Sequence, residues 1–224
     1  MLDRTVEHVL SRAAGRQRVC VAVDGRTGVG KSTFADEIVP GLRQAGFATV
    51  RSTTDSFHRP LVERMRLGPT SAEGYFVDSH QLDTIVDELL VPFRDGHDRV
   101  LVAAFDEPSD APDRQVVEVD ASPTVLIFDG LFVHRRELAN FWDVTIYLEA
   151  DERLDRRWID YLLAALPDSP SERAGAIDDR LRGARWPRYR DGWSNYISAV
   201  QPSARASISI DNNDLSAPAV ARET

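Results

Sequence analysis

The segment from Gly25 to Ser32 carries the most specific chemical pattern in the sequence. It reads Gly-Arg-Thr-Gly-Val-Gly-Lys-Ser and matches the phosphate-binding loop pattern G-x-x-x-x-G-K-[ST] in full. In such a loop, backbone N–H groups surround the phosphates, the lysine contacts the β- and γ-phosphates, and the serine hydroxyl binds magnesium. The pattern therefore predicts a site for a nucleoside triphosphate and Mg²⁺. The residues expected to bind the nucleotide are Gly25, Thr27, Gly28, Val29, Gly30, Lys31, Ser32 and Thr33.

The sequence around this loop has the strand–loop–helix order that the pattern requires. Residues 18–24 form an apolar run that leads into the loop, and residues 32–45 continue with apolar residues at helical spacing. Lys31 is the only lysine of the chain, whereas arginines supply all the other basic residues. A compact, flexible ammonium suits the position between two phosphates, so this usage agrees with the loop interpretation.

Two features favour transfer of the terminal phosphate to a bound acceptor over transfer to water. A GTPase normally recognises guanine through an Asn-Lys-x-Asp motif, yet the only lysine lies in the phosphate loop. A motor ATPase normally carries an apolar strand that ends in Asp-Glu, whereas the strand-like run at 124–130 ends in Asp129-Gly130. The sequence therefore predicts phosphoryl transfer to the hydroxyl group of a second small molecule.

Two carboxylates follow apolar strand-like runs and are expected at the sheet edge where ligands of α/β proteins bind. Asp55 is interpreted as the catalytic base, in preference to a cap for the turn in TDSF. Asp129 is interpreted as a magnesium ligand, directly or through water, in preference to a simple Asp-Gly turn. Ser32, Asp129 and Asp55 are therefore the candidate magnesium ligands.

The composition predicts a single acidic domain in the cytoplasm. The chain has 224 residues and a formal net charge of −9, which argues against an extended nucleic-acid surface. One cysteine, Cys20, excludes an internal disulfide and suits a reducing compartment. The first residues lack the apolar stretch of a signal peptide, and no run approaches the ~18 apolar residues of a membrane span.

Apolar strands alternate with helical patterns along the chain, which predicts an α/β fold with a parallel sheet covered on both faces. Residues 1–224 are interpreted as one domain, with an irregular substrate loop at 55–78 and short strands near 99–105 and 115–120. A helical segment broken at Pro187 and Gly192 is expected before the last strand. The final residues, 215–224, are predicted to form a flexible tail.

Seven segments occur in an order that resembles the uridine kinase-like proteins of the phosphoribulokinase/uridine kinase group of P-loop kinases. The resemblance covers nearly the whole chain, and DSFHRP followed by FDGLF is its most specific part. The segments are GRTGVGKST, DSFHRP, GYFVDSHQLD, the Phe-Asp pair at 105–106, FDGLFVHR, YLEADERLDRR and IDNND.

The resemblance implies a P-loop kinase fold with a five-stranded parallel sheet, a lid helix that carries arginines at about 151–190, and a small β-hairpin over the acceptor site. It implies ATP or GTP as donor, Mg²⁺ as cofactor and Asp55 as the base that deprotonates the acceptor. For Phe76 and Phe105, a place in the core is as well supported as contact with the acceptor. The residues that the resemblance places at the acceptor are His58, Tyr75, Phe76, Asp78 and Phe105.

The lid helix of the group corresponds to the arginine-rich segment that begins near residue 151. Arg153 and Arg157 are expected to neutralise charge on the moving phosphoryl group, and the alternative is a solvated charged face. The group's third lid arginine is absent here, and Asp129 stands where a glutamate is usual. Asn212 and Asn213 match the loop beside the donor base, but their residue type favours a simple turn.

These observations predict an ATP-dependent kinase whose acceptor is a nucleoside of the uridine or cytidine type. Relatives in the wider group use pantothenate, glycerate, sugars or nicotinamide riboside, so another small hydroxyl compound is the first alternative. The second alternative is a regulatory protein that binds nucleotide with little transferase activity, and the altered lid supports it. A hydrolase switch is a weaker third reading. Relatives form oligomers, but no interface pattern in this sequence argues for one.

Overall fold

The fold is built on a six-stranded sheet in the order β2-β5-β1-β6-β7-β8, with a separate two-stranded hairpin. It is described here from a computed structural model that covers residues 1–120, 122–151, 186–214 and 217–224. The strands are β1 (Arg18–Gly25), β2 (Ala48–Thr53), β3 (Arg99–Asp106), β4 (Ala111–Glu118), β5 (Thr124–Gly130), β6 (Val144–Glu149), β7 (Ile208–Asp211) and β8 (Ala219–Glu223). Strands β2, β5, β1, β6 and β7 run parallel, which confirms the predicted α/β fold with five parallel strands.

Helices connect these strands and cover both faces of the sheet. A short 3₁₀ helix (Thr54–Phe57) follows β2, and a π-helical segment (Ile85–Leu90) joins two short α-helices into one helical stretch. The α-helices are α1 (Leu2–Ala13), α2 (Lys31–Glu37), α3 (Val39–Gln44), α4 (Leu61–Arg64), α5 (Ala72–Val77), α6 (Leu82–Thr84), α7 (Val91–Arg94), α8 (Arg136–Ala139), α9 (Trp186–Val200) and α10 (Pro202–Arg205).

The central strands are buried on both faces because two apolar clusters enclose the sheet. One face of β1 presents Val19, Val21 and Val23 to a cluster that also contains the apolar sides of α1, α2 and α3. The other face presents Cys20 and Ala22 to a cluster formed with the 85–93 helical stretch and the hairpin. A continuous apolar run is the sequence pattern expected of such a doubly covered parallel strand.

The carboxyl ends of the parallel strands meet at one edge of the sheet. In the register of this edge, Thr53 at the end of β2 lies opposite Asp129, and Asp24 of β1 lies opposite Gly130. The phosphate loop follows directly after β1, so it opens at the same edge as Asp129 and the segment that carries Asp55. This register places the candidate site residues side by side.

The tail is where the sequence-based prediction is wrong. Residues 219–223 form β8, which pairs antiparallel with β7, so this part of the predicted flexible tail is an ordered edge strand. The carboxylate of Glu223 accepts hydrogen bonds from Arg4 Nε at 2.6 Å and from His8 Nδ1 at 3.0 Å on helix α1. The partners lie more than 200 residues apart in sequence, so local composition carries no signal for this strand.

The predicted hairpin is confirmed, but the predicted break in the helix before β7 is wrong. Strands β3 and β4 pair antiparallel, while α9 runs without interruption through Pro187 and Gly192. Pro187 lies one residue after the first described residue of α9. A Cβ on Gly192 would lie 2.8 Å from Cδ1 of Tyr75, so this glycine permits close packing of α9 against α5.

We expect Gly130→Ala to destabilise the sheet edge that carries the site. An added Cβ would lie 2.0 Å from Oγ1 of the buried Thr54, which accepts a hydrogen bond from the Leu131 N–H. Overpacking together with backbone strain predicts a loss of at least about 3 kcal/mol in the free energy of unfolding, measured by urea denaturation. Gly96→Ala is the matched control, because Gly96 also has positive φ (+81°) but open space around it. Equal losses in the two variants would contradict the steric explanation.

Candidate functional site

The phosphate loop is held open by glycines in left-handed conformations and by a side chain from the opposite end of the sequence. Gly28 and Gly30 have φ of +77° and +91°, and α2 starts at the next residue, Lys31. The buried Asn212 donates from Nδ2 to the carbonyl oxygen of Val29 at 2.7 Å. These contacts leave the N-terminal end of α2 directed into the loop, as phosphate binding requires. Asn212 thus supports the loop backbone from the turn after β7.

Ser32 and Asp129 meet directly at the carboxyl edge of the sheet. The Ser32 hydroxyl donates to Oδ2 of Asp129 at 2.7 Å, and the Asp129 side chain is 2% exposed. Arg51 of β2 donates from Nη2 to the other oxygen of this carboxylate at 2.9 Å. A hydroxyl and a carboxylate at one point supply the hard oxygen donors that Mg²⁺ prefers. The structure therefore brings together two of the three candidate magnesium ligands.

Lys31 lies at the centre of a group of carboxylates. Burial lowers the pKa of its ammonium group, while the negative charges of Asp55, Asp24 and Asp129 act in the opposite direction. Its Nζ donates to the carbonyl oxygen of Arg26 at 3.0 Å, across the loop. The third candidate ligand, Asp55, is exposed at the start of the 3₁₀ helix, where its backbone N–H donates to Oγ1 of Thr53. The cap of this turn is thus made by Thr53 and not by Asp55, which was the alternative to a catalytic role for Asp55.

A buried polar network lies directly behind the phosphate loop. Asp24, the last side chain of β1 before the loop, is fully buried. Its Oδ1 accepts from the Gly25 N–H at 2.7 Å, and its Oδ2 accepts from His134 Nδ1 at 2.7 Å and from the Tyr196 hydroxyl. Burial and the nearby Asp24 carboxylate raise the pKa of Tyr196, so this hydroxyl remains a donor at all physiological pH values. The network joins the phosphate loop to α9.

The residues predicted to contact an acceptor are divided between a ring cluster and two cavities. Phe76 lies against Phe132, with ring centroids 5.2 Å apart, and under the Arg135 guanidinium at 4.4 Å. This packing favours the core interpretation of Phe76. Asp78 is buried and pairs through Oδ1 with Arg66 at 2.8 Å, while its Oδ2 has no hydrogen-bond partner among the described residues.

Two cavities flank the candidate site. The larger, of about 690 Å³, extends from the phosphate loop at Arg26 and Thr27 to Tyr75 and to residues 189–198 of α9. The smaller, of about 440 Å³, lies between the segment after Asp55 and the hairpin, and Phe105 forms part of its wall. The structure therefore places Tyr75 and Phe105 in different cavities, although the sequence motifs suggested one acceptor pocket for both.

Arg188 of α9 fixes the segment that carries the predicted acceptor residues. Its guanidinium is buried and donates to the carbonyl oxygens of Arg64, Ser71 and Gly68 at 2.8, 3.0 and 3.4 Å. It also lies 5.6 Å from the ring centroid of Tyr75. Three backbone acceptors on one guanidinium make α9 and this segment a single packed unit.

His58 and His80 face one another beside Asp55. Their rings lie 4.9 Å apart, and backbone hydrogen bonds join residues 57–59 to residues 79–81. His80 is buried, and its Nε2 has no hydrogen-bond partner in the described part of the chain. Burial, followed by the neighbouring His58 and three arginines, lowers the pKa of His80 well below its ordinary value. His80 is therefore neutral near pH 7.

The comparisons with known proteins agree with this geometry. Residues 20–160 match the family described as Phosphoribulokinase / Uridine kinase. The chain belongs to this family. A pantothenate kinase of Shewanella denitrificans is 27% identical over 209 residues, and this match covers 87% of the present chain. A uridine kinase of Leuconostoc citreum is 22% identical over 172 residues, which cover 75% of this chain and 78% of that kinase. The chain spans 64% of the length of that pantothenate kinase.

Solved structures show the fold of the Phosphoribulokinase / Uridine kinase family in this chain. A structure from Bacillus stearothermophilus, described as a possible uridine kinase, superposes with a TM-score of 0.70 at 18% identity and covers 93% of this chain and 96% of its own. Phosphoribulokinase from Rhodobacter spheroides gives a TM-score of 0.56 at 14% identity, with 87% of this chain and 70% of its own covered.

Some predicted features of this family member fall outside the described structure. The lid arginines Arg153 and Arg157 belong to residues 152–185, which lie outside the described residues. Asn213 accepts the Asp151 N–H at 2.8 Å and donates to Asp211, as a turn residue does. Among the described residues, no helix has the length and apolar character needed to cross a membrane.

Sequence reasoning missed the polar residues that support the phosphate loop from behind. The sequence did contain a signal for Asp24, because a carboxylate inside an apolar strand must find partners when it is buried. His134 and Tyr196 had none, because they lie 110 and 172 residues from Asp24 in sequence. Arg188 likewise reaches backbone groups 117 to 124 residues away.

We expect the stability of this kinase-family domain to fall below about pH 6.5, partly through His80. At such pH values, His80 binds a proton in the unfolded chain but stays neutral when it is buried in the folded chain. A lower pH therefore favours unfolding. The contribution of His80 to the free energy of unfolding is present in full above the pKa that this histidine has in the unfolded chain. Below that pKa, the free energy of unfolding declines by up to about 1.4 kcal/mol per pH unit. Urea unfolding at pH 7.5 and 5.5 should show a smaller decline in His80→Gln than in the wild type. The exposed His97→Gln is the control, and the same decline in both variants would exclude His80 as a cause.

Proposed function

We propose that this chain is a kinase that uses ATP and Mg²⁺ to phosphorylate a hydroxyl group of a small molecule, with a nucleoside as the first candidate acceptor. The observation that carries the proposal is the meeting of Ser32 and Asp129 at 2.7 Å beside a complete phosphate loop. Membership of the Phosphoribulokinase / Uridine kinase family supports the same reaction class. A hydrolase switch would need a group that positions water, and the residue after Asp129 is a glycine.

The donor set fits a magnesium ion. Ser32 and Asp129 offer hydroxyl and carboxylate oxygens at the edge where the phosphate loop ends, and Asp55 offers a further carboxylate nearby. When bound there, Mg²⁺ would neutralise charge on the β- and γ-phosphates. Arg51 already pairs with Asp129, which fixes the direction of this carboxylate.

The side chains of the site have complementary roles in the proposed transfer. The Asp55 carboxylate takes the proton of the acceptor hydroxyl, whose oxygen forms a bond to the γ-phosphorus while the bond to the β–γ bridging oxygen breaks. Lys31 stabilises the charge that moves onto the bridging oxygen. Its own charge is balanced by Asp55, Asp24 and Asp129, so the cation is held in place before the reaction.

The acceptor site is proposed on the side of Asp55 away from the phosphate loop. Oδ2 of Asp78, which has no hydrogen-bond partner among the described residues, suits a hydroxyl donor from the acceptor, because a buried carboxylate oxygen without a partner is costly. Phe105 adds an aromatic surface in the 440 Å³ cavity. A nucleoside combines hydroxyls with a flat base. The second candidate is pantothenate, which the 27% identity to a pantothenate kinase over 87% of this chain favours.

The experiment is magnesium-dependent ADP release with a panel of nucleosides, pantothenate, glycerate and sugars. A kinase consumes ATP only when its acceptor is present, whereas a hydrolase consumes ATP alone and a nucleotide sensor only binds it. We expect activity with one acceptor class and its loss in Lys31→Ala, because Lys31 is the cation that faces the phosphates. Tight ATP binding with no ADP release across the panel would contradict the kinase proposal and favour the regulatory alternative.

A further inference from the structure

Asp55, His58 and His80 form a compact group of metal-ligating side chains, of which the proposed phosphoryl transfer uses Asp55 alone. Each offers one ligand atom, and these atoms all lie within 4.8 Å of one another. The group combines two imidazoles with one carboxylate. It is distinct from the Ser32–Asp129 pair, which offers oxygen atoms alone.

The backbone holds the two histidines in place before any ligand arrives. The Arg59 N–H donates to the Ser79 carbonyl at 3.0 Å, and the Gln81 N–H donates to the Phe57 carbonyl at 2.8 Å. This antiparallel pairing sets His58 directly opposite His80. Side chains fixed by backbone hydrogen bonds lose little conformational entropy when they bind an ion.

Each of the two rings keeps a nitrogen that makes no hydrogen bond to the described residues. His58 donates from Nδ1 to the carbonyl oxygen of Asp55 at 3.0 Å, which fixes the tautomer whose Nε2 carries the lone pair. His80 is 2% exposed, and its Nε2 is a buried polar atom without a partner among the described residues. Buried polar atoms are rarely left unpaired, and an ion is one recognised explanation.

We infer that Asp55, His58 and His80 form a binding site for one divalent transition-metal ion, of the zinc, cobalt or nickel class. Imidazole nitrogens suit these ions, whereas Mg²⁺ prefers oxygen ligands alone. Two imidazoles and one carboxylate supply three protein ligands, and solvent completes the coordination.

The geometry requires a small contraction when the ion binds. Metal–ligand bonds of about 2.0–2.1 Å in a tetrahedral site place the ligands roughly 3.3 Å apart. The distances between the ligand atoms in the structure reach up to 4.8 Å, so the three atoms must approach one another when the ion binds. Asp55 can supply this movement, because its side chain is exposed and receives no hydrogen bond from the described residues.

The charges around the group do not exclude a cation. Three arginines lie near His80. Each of these arginines is itself paired with a carboxylate at 3.5 Å or less, which reduces its repulsion of an ion. The pairs are Arg59–Glu63, Arg64–Glu107 and Arg135–Glu137.

Metal binding at this group is inhibitory if Asp55 is the catalytic base. The ion would occupy the carboxylate that must accept the acceptor's proton. This consequence rests on the proposed function, whereas the binding itself does not. The two claims are separable, because binding is measured without nucleotide or acceptor.

The test is titration of the tag-free full chain with Co²⁺, followed by absorption spectroscopy, with Zn²⁺ as competitor. We expect one Co²⁺ per chain with a visible spectrum typical of nitrogen and oxygen ligands, and displacement of Co²⁺ by Zn²⁺. His58→Gln and His80→Gln should each weaken binding more than ~10-fold, since even loss of a residue that only supports a ligand has effects of that size. His97→Gln, an exposed histidine outside the group, should bind as the wild type does.

Two results would overturn the site: no Co²⁺ binding, or binding that His58→Gln and His80→Gln leave unchanged. His58 is only partly buried, so its variant tests the site even if His80→Gln destabilises the fold. Failure of Co²⁺ binding would leave the kinase proposal intact. Absence of ADP release with every acceptor would contradict the kinase proposal but not the metal site. Failure of the metal site and failure of the proposed function are therefore distinguishable.

Discussion

Replacement of Asp55 by asparagine should lower turnover with the correct acceptor by ~10²-fold or more, while ATP affinity stays nearly unchanged. The amide has the shape of the carboxylate but cannot take the proton of the acceptor hydroxyl. Asp55 follows β2 at the carboxyl edge of the sheet and receives no side-chain hydrogen bond from the described residues, so the substitution removes little structure. Steady-state ADP release and nucleotide titration of the same preparation measure the two quantities.

Asp87→Asn is the matched control for this prediction. Asp87 is an exposed carboxylate on the 85–90 helical segment, so the same chemical change is made away from the site. Its turnover should equal that of the wild type. Undiminished turnover in Asp55→Asn would exclude Asp55 as the base. A loss of ATP affinity as large as the loss of turnover would instead assign Asp55 to nucleotide binding.

Replacement of Asp24 by alanine should destabilise the protein by about 3 kcal/mol or more, because it leaves His134 and Tyr196 as buried donors without an acceptor. Asp24 is fully buried and accepts three hydrogen bonds, one of them from the Gly25 N–H at the start of the phosphate loop. The variant should therefore also bind ATP more weakly. Urea denaturation measures the first effect, and a lower midpoint with an unchanged slope would show a loss of stability.

Tyr196→Phe removes one hydroxyl, which donates to Asp24 and accepts the His134 N–H, and leaves the rest of the network in place. The loss of free energy of unfolding should be smaller in Tyr196→Phe than in Asp24→Ala, about 1–2 kcal/mol, because Asp24 retains His134 and Gly25 as partners. The double variant Asp24→Ala with Tyr196→Phe should be less unstable than the sum of the two single changes. Additive losses would mean that the hydroxyl and the carboxylate do not act together.

Local patterns predicted the parallel sheet well, and they also predicted which segments lie at its carboxyl edge. The loop from Gly25 to Ser32 and the strand-end position of Asp129 are each readable in short segments. Parallel topology then places strand ends together without further information. The same argument located Asp55, because it follows the second strand of the sheet.

The remaining features depend on contacts between distant segments, which no local pattern encodes. The acceptor of Tyr196 lies 172 residues away, and β8 is ordered through Glu223 and helix α1 at the other end of the chain. His58 and His80 face one another only because residues 57–59 pair with residues 79–81. The side chains named by family motifs could be listed from the sequence, but their division between two cavities could not.

The three backbone carbonyls held by Arg188 have a consequence for protein engineering. Segment 61–77 and helix α9 contact one another over more than a hundred intervening positions, so neither is an independent module. Grafting this segment from a relative would bring in a backbone whose carbonyl groups are not matched to the Arg188 guanidinium. A functional chimera should therefore exchange both pieces together, and substitutions that retune the pocket should be sought as pairs, one in each piece.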